Sequence, residues 1–418
     1  MSDKKIKIIT LSDHPLIPSG VGIQTKNFIQ AMLATGKYEV ISLAGAQKHA
    51  DMRPVVTQEW GQSWRIYPVK DYGTKELVRE FLNKEKPDIM WVMTDPRFWV
   101  WLWEMEDEIR SNVPIVYYHV WDNFPAPQFN RKYYLSNDYI VTMSKVSRDI
   151  VNEVAPEVPH EYIPLSVSHD VFKKNTLSAK QFKKNNFGTD DCFLFFWNNR
   201  NARRKQSATL IWWFKEFLDQ LPEGKDARLV MHTNPYDMYG PNLHAVVAAS
   251  GIGFDKIAFS TERLPEEQLA VFYNAADCTI NISDAEGFGL GTSESMACET
   301  PIIVNMTGGL QEQVTDGKEW FGIGIQPSSK CVVGSQDVPY IYEDRPSKEE
   351  FIAAMNKMMN MSAEEREELG RKGRKHLEDN FSFTKLMERW DQVLTKVHND
   401  FGSWDTRKGY TPYEVIDL

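Results

Sequence analysis

The chain has 418 residues, a formal net charge of −10 and 42% hydrophobic residues. Because a single hydrophobic core usually stops growing below this length, the sequence predicts two domains. The composition is that of an ordinary globular protein, and the acidic balance argues against a general binder of nucleic acids or anionic membranes.

The cysteines indicate neither a disulfide framework nor a structural zinc site, because Cys192, Cys278, Cys298 and Cys331 are scattered without a paired spacing. The N-terminus lacks the uninterrupted apolar segment of a signal peptide. No stretch of about 20 apolar residues is present to span a bilayer. We therefore expect a cytoplasmic protein without a transmembrane segment.

Strand-like runs alternate with helical patterns through the first part of the chain. The predicted strands are residues 6–11, 38–43, 64–69, 88–93, 115–119 and 139–143, and helices are predicted at 24–34 and 74–84. Such alternation predicts a parallel, doubly wound sheet. We assign residues 1–168 to an N-terminal Rossmann-like domain and the polar, lysine-bearing residues 169–190 to a linker.

The alternation then resumes and predicts a second Rossmann-like domain over residues 191–382. Its predicted strands are 192–197, 227–232, 256–259, 277–282 and 302–305, with helices at 210–221 and 265–275. Further helices are predicted at 351–359, 363–377 and 383–397. Two such domains are expected to bind ligands at the carboxyl ends of their sheets, in the cleft between them.

Two glutamates, Glu286 and Glu294, lie among glycines in residues 283–298, directly after a predicted strand. The glycines let the backbone approach a ligand closely. A helix is predicted to begin near Thr292, and the N–H groups at a helix N-terminus favour a diphosphate or sugar hydroxyls. The pattern therefore indicates a sugar-nucleotide site.

A basic loop follows the first strand of the second domain and carries Arg200 and Lys205. A guanidinium and an ammonium group at this position can bind a diphosphate and neutralise the charge that it gains as a leaving group. A solvated basic loop is the alternative interpretation.

Two features of the N-terminal half are less specific. Gly20 and Gly22 lie in a strand–glycine–helix turn, which suits a phosphate or simply close packing, and the turn lacks the dinucleotide pattern G-x-G-x-x-G. His119 ends the predicted strand at 115–119, where it would hydrogen-bond a sugar hydroxyl or serve a structural role.

The predicted linker carries lysines at positions 173, 174, 180, 183 and 184. These lysines fit a solvated face of the linker. An acidic acceptor or a peripheral membrane surface as their binding partner is the alternative. No Asp-x-Asp triplet occurs, so the simplest carboxylate pair for a metal-bound sugar nucleotide is missing.

Taken together, these residues resemble the family 4 glycosyltransferases, which are retaining enzymes of the GT-B fold. The most specific part is Glu286-Gly-Phe-Gly-Leu followed by Glu294-Ser-Met-Ala-Cys-Glu-Thr-Pro301, which is similar to the family's pair of glutamates separated by seven residues. Arg200 and Lys205 have the family's five-residue offset. The resemblance spans nearly the whole chain.

The resemblance implies an α/β GT-B fold, in which two Rossmann-like doubly wound parallel-sheet domains face each other across a cleft. The C-terminal helix and tail, residues 383–418, are expected to pack back on the N-terminal domain. The implied reaction is the retaining transfer of a sugar from a nucleotide-diphosphate sugar, such as a UDP- or GDP-sugar, to an acceptor hydroxyl. No bound metal or cofactor is implied.

Site roles follow from the same resemblance. The implied catalytic residues are Arg200, Lys205, Glu286 and His119. The implied donor-binding residues are Gly20, Gly22, Arg200, Lys205, Gly287, Phe288, Gly289, Leu290 and Glu294. Within these sets Glu286 would contact the transferred sugar, Glu294 would hold the ribose hydroxyls, and Arg200 with Lys205 would bind the diphosphate.

The sequence departs from the family pattern at three places: Glu299 and Ser166 replace glycines, and residues 231–234 replace a glycine-bearing strand end. The last of these lies where the nucleotide base or diphosphate is expected, and it leaves the donor open. The acceptor is also open, although loops 94–97 and 122–125 are expected to contact it. The alternatives are a GT-B phosphorylase, a sugar-nucleotide epimerase and a catalytically silent sugar-nucleotide-binding protein.

Overall fold

The structure, a computed structural model, describes residues 4–48, 51, 53–175 and 179–413. The chain divides into two compact units: the first comprises Met1–Ser166 with Phe383–Leu418, and the second comprises Val167–Ser382. Each unit is built on a parallel sheet with helices, which confirms the predicted α/β class with two domains. Among the described residues, no helix has the length and apolar character needed to cross a membrane.

Eight strands form the sheet of the first unit within the described residues. They are β1 (Ile6–Asp13), β2 (Tyr38–Gln47), β3 (Val55–Val56), β4 (Trp64–Lys70), β5 (Ile89–Met93), β6 (Ile115–His119), β7 (Tyr139–Thr142) and β8 (His160–Tyr162). Their order is β3-β4-β2-β1-β5-β6-β7-β8, and every pairing is parallel except the one between β3 and β4. All five residues of β5 are buried, as expected for a parallel strand covered on both faces.

Helices of the first unit connect these strands. They are α1 (Gly20–Ala34), α2 (Lys75–Glu85), α3 (Val100–Trp103), α4 (Glu106–Arg110), α5 (Arg131–Leu135) and α6 (Lys145–Val154). Ser19, Thr74 and Ser144 occupy the N-cap positions of α1, α2 and α6, and each side chain accepts a hydrogen bond from a backbone N–H of the first turn. Short 3-10 helices cover Gly61–Ser63, Pro96–Trp99 and Gln128–Asn130.

The second unit contains a six-stranded parallel sheet and a separate antiparallel hairpin in the described residues. Its strands are β9 (Phe193–Asn198), β10 (Ala227–His232), β11 (Ile257–Ser260), β12 (Cys278–Asn281), β13 (Ile302–Asn305), β14 (Ile323–Ile325), β15 (Pro327–Val333) and β16 (Ile341–Pro346). Its helices are α7 (Ala179–Phe187), α8 (Ser207–Asp219), α9 (Leu243–Ser250), α10 (Glu266–Ala275), α11 (Leu290–Ala297), α12 (Leu310–Val314), α13 (Lys348–Asn360) and α14 (Ala363–Asn380). The sheet order is β11-β10-β9-β12-β13-β14, and β15 pairs with β16.

Several local features differ from the sequence predictions. Residues 169–190 contain α7, whose Lys183 is buried against Asp277 instead of facing solvent. The hairpin of β15 and β16 was not predicted because most of its residues are at least partly exposed and carry little apolar alternation. Helix α11 begins at Leu290, slightly before the predicted start.

Aromatic packing fixes β9 in the centre of the second sheet. Phe195 packs against Phe214 and Phe217 of α8, with ring centroids 6.0 and 5.8 Å apart. Phe351 and Met355 of α13 are fully buried in the same cluster. Because β9 and α8 are held by this core, the loop that joins them is anchored at both ends.

The last helix, α15 (Phe383–Phe401), packs in the first unit, which confirms the predicted return of the C-terminal segment. Its Trp390 is fully buried and lies edge-on to Phe28, Trp91 and Tyr118, with centroid distances of 4.8, 6.1 and 5.0 Å. The next residue, Asp391, accepts a hydrogen bond of 2.8 Å from the Tyr38 hydroxyl. These contacts bury the apolar face of α15 against α1 and β5.

Candidate functional site

The predicted residues of the second unit lie on loops at the carboxyl ends of β9 and β12. The first loop, residues 199–206, connects β9 to α8, and the second, residues 282–289, connects β12 to α11. Strands β9 and β12 are neighbours in the sheet. Because both strands are parallel, their carboxyl ends bring the two loops to the same edge, where open α/β sheets bind ligands.

Lys205 and Glu286 form a buried ion pair between these loops. The Lys205 ammonium contacts Glu286 Oε1. The exposed fractions of the two side chains are only 9% and 8%. Asn281 Nδ2 donates to the same oxygen over 3.3 Å, and Arg204 Nη1 lies 3.4 Å from Oε2. Burial alone would raise the pKa of Glu286, but the charges of Lys205 and Arg204 bring it down to about 2. The carboxylate is therefore ionised throughout the neutral range.

The turn that carries Lys205 is held by its own loop. Arg203–Lys205 form a 3-10 turn, and Gln206 follows in the left-handed conformation with φ of 56° before α8 begins. Asn201 is fully buried, donates to the Pro241 carbonyl over 2.8 Å and accepts from the Ser207 hydroxyl over 2.6 Å. These bonds set the direction in which Lys205 leaves the backbone.

Glu294 belongs to a second network, which joins α11, α10 and β9. Its Oε2 accepts hydrogen bonds from the Tyr273 hydroxyl at 2.6 Å and from Asn198 Nδ2 at 3.4 Å. Asn198 Nδ2 also donates to the Tyr273 hydroxyl over 2.8 Å. Burial raises the pKa of Glu294 to about 7, although both hydrogen bonds act to lower it. This carboxyl group therefore titrates near neutral pH.

Glycines allow the backbone to pass closely around Glu286. Gly289 has φ of +90° immediately before α11, and a Cβ there would lie 2.4 Å from the Leu310 side chain. Gly308 has φ of +48°, and a Cβ there would lie 1.8 Å from the Glu286 carbonyl oxygen. The Gly309 N–H donates to that same carbonyl over 3.0 Å. Loop 282–289 is thus fixed against the turn after β13.

Arg200 has different partners from Lys205. Its Nε donates to Asp237 Oδ2 over 2.7 Å, and its guanidinium lies 4.4 Å from the centre of the Tyr239 ring. The side chain is 60% exposed. The structure therefore places Lys205 and Glu286 in contact, while Arg200 is paired with a carboxylate on the loop after β10.

A further carboxylate, Asp284, lies two residues before Glu286 and was not predicted. Its side chain is fully buried, contacts the Arg345 guanidinium of β16 and accepts from Gln206 Nε2 at 2.5 Å. Burial raises the pKa of Asp284 to about 6, against the opposing effects of Gln206 and Arg345. The Asp284 N–H also donates to the Arg204 carbonyl over 2.8 Å, so this residue connects the hairpin to the basic loop.

His119 lies in the first unit, where it is completely enclosed. Its Nε2 is 2.6 Å from the Tyr134 hydroxyl, and the Tyr134 and Tyr117 rings lie edge-on to the imidazole. Burial lowers the pKa of His119 to about 3, so the ring is neutral. The His119 side chain has no exposed surface, so in this arrangement a sugar hydroxyl does not reach the ring to form the predicted hydrogen bond.

Gly20 and Gly22 belong to the first turn of α1. The Ser19 hydroxyl accepts from the Gly22 N–H at 2.9 Å and donates to Asp13 Oδ2 at 2.8 Å. A Cβ at Gly22 would lie 2.7 Å from the His14 carbonyl oxygen. Close packing of the turn is therefore sufficient to require glycine at position 22.

Sequence reasoning missed the residues whose partners are distant in the chain. Asn198, Tyr273, Asn281 and Arg204 complete the two glutamate sites. Of these, Asn198 and Arg204 lie in the predicted basic cluster, residues 198–205, but no role was predicted for them. Among the described residues, no group of three or more His, Cys, Asp or Glu side chains is arranged to hold a metal ion.

Parts of the chain are similar to a described family and to curated relatives. Residues 179–376 match the family described as glycosyl transferases group 1. A D-inositol 3-phosphate glycosyltransferase of Thermomonospora curvata is 37% identical over 91 residues, which cover 22% of this chain and 20% of that protein. The chain thus matches about a fifth of the length of this curated relative.

Solved structures share the fold over nearly the whole chain. Sucrose-phosphate synthase from Thermosynechococcus elongatus has a TM-score of 0.76 at 18% identity, covering 95% of this chain and 100% of that one. Anabaena HepE, solved in complex with UDP-glucose, has a TM-score of 0.70 at 15% identity, covering 94% and 100%. At these identities the likeness establishes the fold, which agrees with the predicted GT-B architecture.

Proposed function

We propose that the chain, whose residues 179–376 match the family described as glycosyl transferases group 1, transfers a sugar from a nucleotide-diphosphate sugar to an acceptor hydroxyl. The observation that carries this proposal is the buried Lys205–Glu286 pair, which lies at the carboxyl ends of β9 and β12. UDP-glucose, the ligand of the HepE structure, is the first donor to test.

The proposed roles follow from charge. Cleavage of the bond between sugar and diphosphate leaves negative charge on the phosphate and positive charge on the sugar ring. Fixed charges that face these two centres stabilise the transition state without reorganising. Lys205, with Arg200, would act on the diphosphate, and Glu286, which stays ionised, would act on the sugar ring.

Two cationic side chains contact the Glu286 carboxylate. Lys205 contacts its Oε1, and Arg204 Nη1 lies 3.4 Å from its Oε2. The side chain of Arg204 is 42% exposed and can therefore move toward a ligand. A guanidinium and an ammonium group at the same place favour a diphosphate over a neutral group.

The donor's remaining parts have proposed partners on α11. Glu294 would accept hydrogen bonds from the ribose hydroxyls, and the backbone of Gly287, Phe288, Gly289 and Leu290 would approach the sugar and diphosphate. We further propose retention, with attack on the face from which the leaving group departs and transfer of the acceptor's proton to a donor phosphate oxygen. No bound metal or cofactor is part of this proposal.

Nucleotide release from a panel of UDP-, GDP- and ADP-sugars tests the proposal. Lys205→Met should lower turnover of the preferred donor by about a hundredfold or more, which is typical of losing one preorganised charge in an active site. Lys215→Met is the matched control, because Lys215 is a partly exposed lysine of α8 that pairs with Asp219. Circular dichroism of both variants checks that the fold is intact.

The products decide between the alternatives. A retained anomeric configuration in the glycosylated product supports transfer, whereas sugar 1-phosphate formed with free phosphate would indicate a phosphorylase. A donor converted to its epimer would indicate an epimerase. Donor binding with no turnover would show a silent sugar-nucleotide-binding protein, and neither binding nor release with any donor would refute the donor site itself.

A further inference from the structure

A group of polar and aromatic side chains lies at the carboxyl ends of β1, β4 and β5 in the first unit. Asp13 is the last residue of β1, Tyr72 follows β4, and Asp95, Arg97 and Phe98 follow β5. We call these five residues the acceptor cluster. None of them takes part in the donor chemistry proposed for the second unit.

The aromatic part of the acceptor cluster is a stacked pair with an exposed ring. The Tyr72 and Phe98 rings are 5.1 Å apart and inclined by 12°, so they are nearly parallel. Phe98 is 49% exposed, although it belongs to a short 3-10 helix whose neighbouring Trp99 is fully buried. An exposed flat ring that is supported from behind offers a face on which the C–H groups of a sugar ring can pack.

Hydrogen bonds fix the supporting ring in place. The Tyr72 hydroxyl donates to Asp13 Oδ1 over 2.9 Å, while the Ser19 hydroxyl donates to Asp13 Oδ2 over 2.8 Å. Gly45 lets Tyr72 approach β2, because a Cβ there would lie 2.8 Å from the tyrosine ring. The platform is therefore organised before any ligand binds, which reduces the entropic cost of binding.

Asp95 and Arg97 supply the groups that pair with hydroxyls. Arg97 Nε donates to Asp95 Oδ1 over 2.8 Å and Nη2 donates to Oδ2 over 2.5 Å, so the two side chains are held in one plane. They remain 22% and 32% exposed. A carboxylate that accepts next to a guanidinium that donates can bind neighbouring sugar hydroxyls, which do both.

The charge of the acceptor cluster disfavours an anionic ligand. Asp13 and Asp95 carry two negative charges, and Arg97 carries one positive charge, which leaves a net charge of −1. Burial lowers the pKa of the adjacent His14, so that ring adds no positive charge at neutral pH. Burial and the two carboxylates raise the pKa of Tyr72, so its hydroxyl stays protonated. A phosphate group would be repelled here.

We infer that the acceptor cluster binds the acceptor of the reaction, and that this acceptor is an uncharged saccharide. The inference rests on the proposed glycosyl transfer and adds the chemical class of the second substrate. Its support is the combination of an exposed, anchored aromatic ring, a planar carboxylate–guanidinium pair and a net negative charge.

Saturation-transfer NMR without donor tests the binding directly. Maltose and methyl glucoside are the neutral probes, and glucose 6-phosphate is the charged probe. We expect saturation transfer to the neutral sugars and at least tenfold weaker binding of the phosphate. Equal or tighter binding of glucose 6-phosphate would overturn the inference, as would binding of neither sugar class.

Substitutions locate the binding to the cluster. Phe98→Leu removes the ring and should weaken binding of the neutral probe about tenfold, whereas Phe98→Tyr keeps the ring and should restore it. Phe254→Leu is the matched control, because Phe254 is 66% exposed in the second unit. Equal affinity of the Phe98→Leu chain and the unaltered chain would refute the assignment, and so would a dimer sealed by Phe98 in sedimentation experiments.

A transfer assay separates this inference from the proposed function. Donor turnover in the unaltered chain, measured as nucleotide release without acceptor, reports the proposed function alone. Stimulation of that turnover by neutral sugars, and not by glucose 6-phosphate, supports the inference. If nucleotide is released but only the phosphorylated sugar stimulates it, the inference fails while the proposed function stands. If no donor is turned over, the proposed function fails and the NMR experiment still decides sugar binding.

Discussion

The Glu294→Gln substitution exchanges a carboxyl group with a pKa of about 7 for an amide that does not titrate. Burial favours the neutral acid, so the carboxylate form becomes populated only as the pH rises through about 7. The ribose hydroxyls of a donor need an acceptor, and the ionised form is the better one. Donor affinity should therefore rise with pH in the unaltered chain.

The size of the effect follows from the fraction of ionised carboxyl. With a pKa of about 7, roughly one site in ten is ionised at pH 6, so donor should bind about tenfold more weakly there than on the plateau above pH 8. The diphosphate of a nucleotide sugar is esterified at both ends and keeps its charge across this range. The change in affinity is thus attributable to the protein.

Isothermal titration with a nucleotide sugar from pH 5.5 to 8.5 measures this profile. The Glu294→Gln chain should show little dependence on pH across the range. Glu223→Gln is the control, because Glu223 lies on the exposed loop after α8 and should leave the profile unchanged. A flat profile in the unaltered chain, or the same slope in the Glu294→Gln chain, would refute the reasoning.

Three other substitutions test the surroundings of Glu286. Lys205→Met leaves a buried carboxylate without its main partner and should destabilise the second unit by about 3–5 kcal/mol in denaturant unfolding, with recovery when Glu286→Gln is added. Arg345→Met removes a positive charge beside Asp284 and raises the pKa of this buried carboxyl group further above about 6. The melting temperature of the variant should therefore fall only slightly at pH 5. It should fall more toward pH 8, because the buried group is then forced to ionise. A similar loss at both pH values would contradict this. Gly308→Ala places a Cβ against the Glu286 carbonyl and should lower both the melting temperature and donor affinity; unchanged donor affinity would show that this turn does not position Glu286.

Local patterns were sufficient to predict most strands. The predicted strands at 115–119, 227–232 and 302–305 coincide with β6, β10 and β13, because buried parallel strands are short, largely apolar runs. The hairpin of β15 and β16 lacks such a run, and its exposed residues do not distinguish it from a loop. Helix α7 was hidden by the many lysines of its polar sequence.

The site could be predicted only where its chemistry is local in sequence. Both glutamates and the basic loop stand within short motifs, and the structure brings Lys205 to Glu286 across 81 positions. Spacing alone did not separate Lys205, which is buried, from Arg200, which is exposed and paired with Asp237. Nor did it indicate Arg345, whose contact with Asp284 depends on how the hairpin folds over the loop.

Glu286 and Glu294 show why two carboxylates in one motif can serve different purposes. Glu286 is buried and Glu294 is partly buried, so burial alone would raise the pKa of each. Glu286 faces the cations of Lys205 and Arg204 and stays ionised, which suits a group placed beside a positively charged sugar ring. Glu294 accepts hydrogen bonds from the neutral donors of Tyr273 and Asn198, and burial together with the charge of Glu266 raises its pKa to about 7, which suits hydrogen bonding to hydroxyls. The difference arises from partners that the intervening helices and loops supply, and it is the reason that a pH profile distinguishes the two roles.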